Sequence, residues 1–219
     1  MNITLMGTMP IEEAFERLRN APLEAAGTEK IFIYRDATMR LCDFSPDELN
    51  PASLYVLKKN LETQRQIRAH FLQEHGIDTL QLSQVLHLRV AGKDGERLVG
   101  MAPPFVEIQE ERVKIVAGEG ERSSPENLVL QIPILQDGIH RAHLAREAGV
   151  LLRCVVIQSR VTGYPLYAYP NHWSEVVLCD ETPKVKKYYR REDPYTFMRP
   201  YTILQQISNP EAFKPEWGR

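Results

Sequence analysis

Asp137-Gly138-Ile139-His140-Arg141 is the densest run of chemistry-bearing residues in the chain. It stands where the apolar stretch LVLQIPIL gives way to IHRAHLAREAG and then to VLLRCVVI, residues 150–157. These pieces read as a strand, a helix closed by Gly149 and a buried strand. A glycine at a strand-to-helix turn lets backbone amides approach a ligand, and the N–H groups of a first helical turn carry partial positive charge that suits phosphate. Gly138, Ile139, His140 and Arg141 are therefore the candidate phosphate contacts. His140 and Arg141 put cationic or donor groups at the helix end that disfavours positive charge, a conflict that a bound anion would relieve. Asp137 can cap the turn, hold Mg²⁺ on a nucleotide or act as a base toward a hydroxyl, so Asp137 and His140 are the catalytic candidates. A plain Asp-Gly turn with exposed His and Arg has the same composition and needs no ligand.

The elements that must position this turn are short. Residues 10–19 predict a helix with Pro10 in its first turn and Ile11, Ala14, Phe15 and Leu18 on one face. Ile31 to Tyr34 and Met39 to Phe44 read as strands, and FSPDELNP behind them as a turn. A longer helix is predicted over residues 53–73, ended by Gly76. From Leu80 to Val116 the pattern changes to strand-like pieces, with Asp94-Gly95 as a hairpin signal, and residues 117–127 form a polar loop. Pro133 predicts that the strand before Asp137 lies at an edge or bends.

Composition sets the frame. The chain has 219 residues, 43% hydrophobic and 26% charged, with a formal net charge of -2, as expected for a folded domain and not for an overall cationic nucleic-acid binder. Three cysteines, Cys42, Cys154 and Cys179, lie in no paired spacing, which fits a reducing cytoplasm. Neither a signal peptide nor a membrane-spanning run is visible, so no membrane partner is expected. No G-x-x-x-x-G-K-[ST] or G-x-S-x-G pattern supports a P-loop or α/β-hydrolase reading. His140 and His143 with Asp137 or His172 have suitable ligand chemistry for a metal, without a second ligand pair to support it. Residues 184–199 hold Lys184, Lys186, Lys187, Arg190, Arg191 and Arg199 among tyrosines, and Lys186, Lys187, Arg190 and Arg191 are candidate contacts to single-stranded nucleic acid. A solvated face with packed rings has the same composition.

DGIHRAHLAREAG followed by VLLRCVVI resembles the nucleotide-binding motif of the ParB/sulfiredoxin superfamily. Gly138, Ile139, His140, Arg141, Ala142, Ala148 and Gly149 fall in places similar to the Gly-Glu-Arg-Arg turn, the Arg-Ala step and the later Ala-Gly of partition ParB proteins. Asp-Gly-x-His-Arg is most similar to the Asp-Gly-His-His-Arg turn of the ParB-like free-serine kinases. RLCDFSPDEL, the 53–73 helix and PFVEI match more loosely the strand, helix and strand before that motif. Ile139 stands where sulfiredoxins carry their catalytic cysteine, which argues against sulfinic-acid reduction. Residues 161–219 offer no helix pair like the helix-turn-helix of partition ParB proteins.

The resemblance implies an α+β fold, a ParB/sulfiredoxin-like mixed sheet with flanking helices, extended here by a proline- and aromatic-rich C-terminus. The implied organisation is an N-terminal helical segment 1–28, a nucleotide-binding domain 29–160 and a C-terminal extension 161–219 packed on it. It further implies ATP or ADP, or CTP, with Mg²⁺ held through Asp137, and a phosphotransferase (kinase) or nucleotide hydrolase acting on a small-molecule or nucleic-acid acceptor. A base from outside the motif is expected, with Glu107 and Asp43 as candidates by order along the chain. The alternative is a non-catalytic, nucleic-acid-associated regulatory or defence module of the same fold.

Overall fold

The structure, a computed structural model, describes residues 2–22, 30–92, 95–115, 126–159, 168–189 and 200–204. The VLLRCVVI stretch becomes β9 (Leu152–Gln158), inside a five-stranded mixed sheet. Its neighbours are β2 (Thr38–Phe44), antiparallel, and β7 (Phe105–Ile115), parallel; β7 pairs in turn with antiparallel β8 (Glu126–Asp137), and the two-residue β3 (Asn50–Pro51) closes that edge. β9 is apolar almost throughout because both of its faces are covered. Leu152, Cys154 and Val156 pack with Ala142, Leu144 and Ala145 of α3 (Ile139–Ala148) and with Trp173. Val155 and Ile157 point the other way, toward Ala14 and Leu18 of α1 (Ile11–Arg19), Tyr34, Phe105 and Tyr201.

A second, antiparallel sheet joins β1 (Asn2–Pro10), β5 (Gln84–Gly92) and β6 (Gly95–Met101), and Ile67 and Phe71 of α2 (Lys58–His75) bury against its Leu86 and Leu88. A third is the short parallel pair β4 (Tyr55–Leu57) and β10 (Val177–Cys179). The chain is thus α+β, with a mixed sheet flanked by helices as the motif implied.

Three local expectations differ from the structure. Residues 33–36 form a turn rather than a strand, and it buries Ile33 and Tyr34 completely, so the apolar run there serves the core and not a ladder. The long helix begins at Lys58, because residues 55–57 are drawn into pairing with β10; Gly76 then ends it in the left-handed conformation, with φ 65°. β8 is not a free edge, yet Pro133 fits, since β3 pairs only with Ile134 and Leu135 and Asn50 Nδ2 donates to the Pro133 carbonyl. Asp94 and the 117–125 part of the polar loop lie outside the described residues, although β5 and β6 do form the antiparallel pair that Asp94-Gly95 signalled.

Glu107, 2% exposed, accepts a 2.6 Å hydrogen bond from Tyr34, whose hydroxyl lies 2.9 Å from that of Tyr201. Tyr201 in turn stacks on Phe105 at 4.5 Å between ring centroids, which ties residues 200–204 to the central sheet. Tyr34→Phe removes the bond to a buried carboxyl and is expected to lower unfolding stability by about 1–3 kcal/mol, read as a lower urea midpoint with unchanged slope.

Candidate functional site

Where β8 ends and α3 begins, the backbone bends sharply at Gly138, with φ 93°. An L side chain is disfavoured there twice: by the dihedral, and because a Cβ would stand 2.6 Å from Cβ of Pro104. Pro104 has little freedom to withdraw, since its carbonyl accepts a 2.8 Å bond from the Val155 N–H of β9. One residue earlier the pairing of β8 with β7 slips. Phe105 faces Asp137 while Val106 faces Leu135, so Gln136 is the extra residue of a bulge, a device that re-aims side chains beside sites.

A cavity of about 390 Å³ opens at this junction. Its walls are Leu135 to Arg141, residues 99–102 at the end of β6 and after it, Ser53 and Tyr55 before and in β4, Gln64 of α2, and Lys187. Asp137, Gly138, Ile139, His140 and Arg141, expected together from the sequence, are brought together on one wall. Gly138 has no side chain with which to cap α3, and among the described residues none caps it, so the first-turn amides remain available at the cavity end of the helix.

The charges differ from a row of exposed donors. Arg141 is 8% exposed and its Nη1 donates to the Ala102 carbonyl at 2.6 Å, holding the loop that carries Pro104. Burial pushes its pKa down, and Asp137 and Cys154 oppose that shift. A guanidinium nevertheless keeps its proton in proteins. His140 Nε2 accepts the Leu57 N–H at 3.1 Å, which puts the ring proton on Nδ1 when the imidazole is neutral. Burial lowers its pKa from 6.5, against the pull of Asp137, so the ring is mainly uncharged at neutral pH. The conflict between positive charge and the helix dipole is therefore partly resolved without a ligand, by an imidazole that positions β4 and carries no charge.

Lys187 is the residue whose surroundings sequence reasoning missed. The sequence pattern groups it with Lys186 on a basic strip, but Lys186 is exposed whereas Lys187 is half-buried and lines the cavity with Asp137. Arg190 and Arg191 lie outside the described residues. Gln136 was missed as well: it is 6% exposed, and neither of its amide atoms has a hydrogen-bond partner. Nothing local marks either residue, since a bulge and a cross-chain approach leave no periodic signal.

The other candidates lie elsewhere. Asp43, on β2, makes a bidentate pair with Arg153 at 2.8 and 2.9 Å, and that guanidinium holds its carboxyl below the usual range. Glu107 belongs to the tyrosine cluster, and neither carboxylate lines the cavity. His143 packs against Trp173 and lies 3.7 Å from Glu147, while His172 caps the turn at residues 173–175. Among the described residues no three His, Cys, Asp or Glu side chains are grouped as a metal site. Burial pushes the Cys154 thiol up to about 12, which makes it a poor nucleophile.

Comparison with known proteins bears on this arrangement. The family model of the ParB CE domain matches residues 13–177, a stretch that includes β2, α2, the whole β7 to β9 unit and the turn at Gly138. The chain belongs to the ParB CE domain family. No curated protein and no solved structure shows significant similarity to it. Within this ParB CE domain chain, Lys187 stands beyond the matched region although it lines the same cavity as Asp137. No helix among the described residues is long and apolar enough to cross a membrane.

Three measurements follow from the geometry. Gly138→Ala is expected to cost about 2–4 kcal/mol, from the left-handed dihedral and the forced contact with Pro104, read by urea unfolding. Gln136→Met removes two orphaned polar atoms and is expected to raise stability by about 1–3 kcal/mol. His87, His140 and His143 all have pKa values lowered by burial, so protonation favours the unfolded chain. Their contribution is present above the ordinary histidine pKa of 6.5 and is lost as pH falls below it; His140→Gln should flatten that dependence between pH 7.5 and 5.

Proposed function

We propose that this ParB CE domain protein binds a nucleoside di- or triphosphate, with its phosphates on the turn from Gly138 to Arg141, and catalyses phosphoryl transfer or nucleotide hydrolysis. The observation that carries this reading is the cavity at the uncapped start of α3, where backbone amides, Arg141 and the Asp137 carboxylate share one wall. Oriented amides and a buried guanidinium suit a phosphate, and Gly138 keeps the backbone bare where a ligand would approach.

The residues present fit a nucleotide-borne Mg²⁺. This ion takes hard oxygen ligands and is commonly held by one or two carboxylates together with substrate phosphates, so Asp137 would hold it and it would neutralise charge on the transferring group. The chain's own contribution is positional. Arg141 orients and neutralises phosphate oxygens, and His140, through its bond to Leu57, fixes the first turn of α3 against β4. Phosphoryl transfer asks mainly for alignment and charge stabilisation, which these groups supply. Asp137 is also the carboxylate in reach of a hydroxyl nucleophile entering the cavity.

Isothermal titration of the full chain with ATP, ADP and CTP, with and without Mg²⁺, tests the reading. Saturable binding of at least one nucleotide is expected, and absence of binding by all three refutes it. Asp137→Asn is expected to retain nucleotide affinity without Mg²⁺, to lose its Mg²⁺ dependence, and to abolish release of inorganic phosphate.

A further inference from the structure

We propose that Gln136 and Gln64 form the nucleobase subsite of this cavity, their side-chain amides hydrogen-bonding the donor–acceptor edge of the base. This inference rests on the nucleotide reading above and adds to it the part of the ligand that the turn from Gly138 to Arg141 does not hold.

Both glutamines stand where the fold buries an amide that nothing local requires. Gln64 falls on α2 three residues after Leu61 and three before Ile67, on the side that the helix buries. Gln136 is the extra residue of the β8 bulge and is 6% exposed. Neither Nε2 nor Oε1 of Gln136 has a hydrogen-bond partner among the described residues, and the buried Oε1 of Gln64 has none either. Native structures keep few such groups, because a buried amide with its bonds unmade is costly. Here the two amides come from different elements, a strand end and a helix, and both residues line the one cavity that the Asp137 to Arg141 turn borders.

The rest of that cavity suits a flat, partly apolar ring. Val99 and Met101 of β6 line it while packing against the cluster of Phe71, Leu86 and Leu88, which fixes their wall, and Tyr55 adds an aromatic residue. At about 390 Å³ the cavity is in the range that houses small ligands. Backbone amides and charge at the turn answer the phosphates, and the apolar side answers a ring face. The glutamines are then the groups left to answer a hydrogen-bonding edge. A glutamine amide presents one donor and one acceptor side by side, the complement of an amino group next to a ring nitrogen, as in adenine and cytosine. The Gln136 amide atoms are covered by neighbouring atoms, and rotation about the side-chain bonds turns the amide to the base on binding.

The test is titration of ATP, CTP, their 2′,3′-dideoxy forms and inorganic tripolyphosphate into the full-length wild type, Gln136→Met and Gln64→Met, with urea midpoints measured for each. Removing the orphaned amide of Gln136 is expected to stabilise the chain, so weaker binding by Gln136→Met does not report a loss of fold, and Gln64→Met probes the subsite from the other element. The wild type is expected to bind at least one nucleoside triphosphate more tightly than tripolyphosphate. Each variant is expected to weaken that nucleotide and its dideoxy form by about tenfold, with tripolyphosphate within about twofold of wild type. The assignment is overturned by a nucleotide loss of about threefold or less in either variant, by an equal loss for tripolyphosphate, or by a loss that disappears with the dideoxynucleotides, which places the amides on the sugar. Failure of the wild type to bind any nucleotide is seen before any variant is made and overturns the nucleotide reading itself, whereas an unchanged affinity in the variants overturns this inference alone.

Discussion

Gly138 runs its backbone against Pro104 with no room for a side chain, and the arrangement of the cavity depends on that approach. Pro104 is held by the Val155 N–H of β9, and the loop just before it is held by Arg141 reaching back from α3 to the Ala102 carbonyl. Strand, loop and helix therefore close on one another around a single glycine. The left-handed turn ends β8 and starts α3 within one residue, which puts the first turn of the helix at the cavity wall. A larger residue at that point would separate the helix from the β6–β7 connection and open the wall that carries Asp137.

Burial sets the electrostatics of this wall more than composition does. His140 lies in the motif as a cationic residue, yet desolvation and the Leu57 N–H make it a neutral acceptor that joins α3 to β4. Arg141 keeps its charge but uses a donor to fix the neighbouring loop. The polar demand left at the cavity, among the described residues, comes from the bulged Gln136. Buried polar groups without partners cost stability, and they are tolerated most often where a ligand completes them.

The central sheet explains how so short a motif can be held firmly. β9 is covered on one face by α3 and Trp173 and on the other by α1 and Tyr201, so the strand that follows the motif is anchored by elements from both ends of the chain. The membership in the ParB CE domain family covers the sheet and the turn. The tyrosine cluster around Glu107 then ties residues 200–204 to the same sheet from outside the matched region.

The strand, turn, helix and strand around Asp137 to Arg141 were legible in the sequence, because period, a closing glycine and a continuous apolar run are local signals. So were the hairpin character of residues 84–101 and the glycine stop of α2. Residues 33–36 and 55–57 were not, since a buried turn and a three-residue strand are decided by what packs or pairs with them and not by their own pattern. The order of residues alone shows which residue types crowd one turn and that the turn could face a ligand. Packing in three dimensions then spends His140 on a backbone amide, gives Asp43 and Glu107 other partners, and brings Lys187 to the cavity wall. The physical reason is common to all three: charge state and reach depend on burial and on neighbours distant in sequence, and neither is encoded in spacing along the chain.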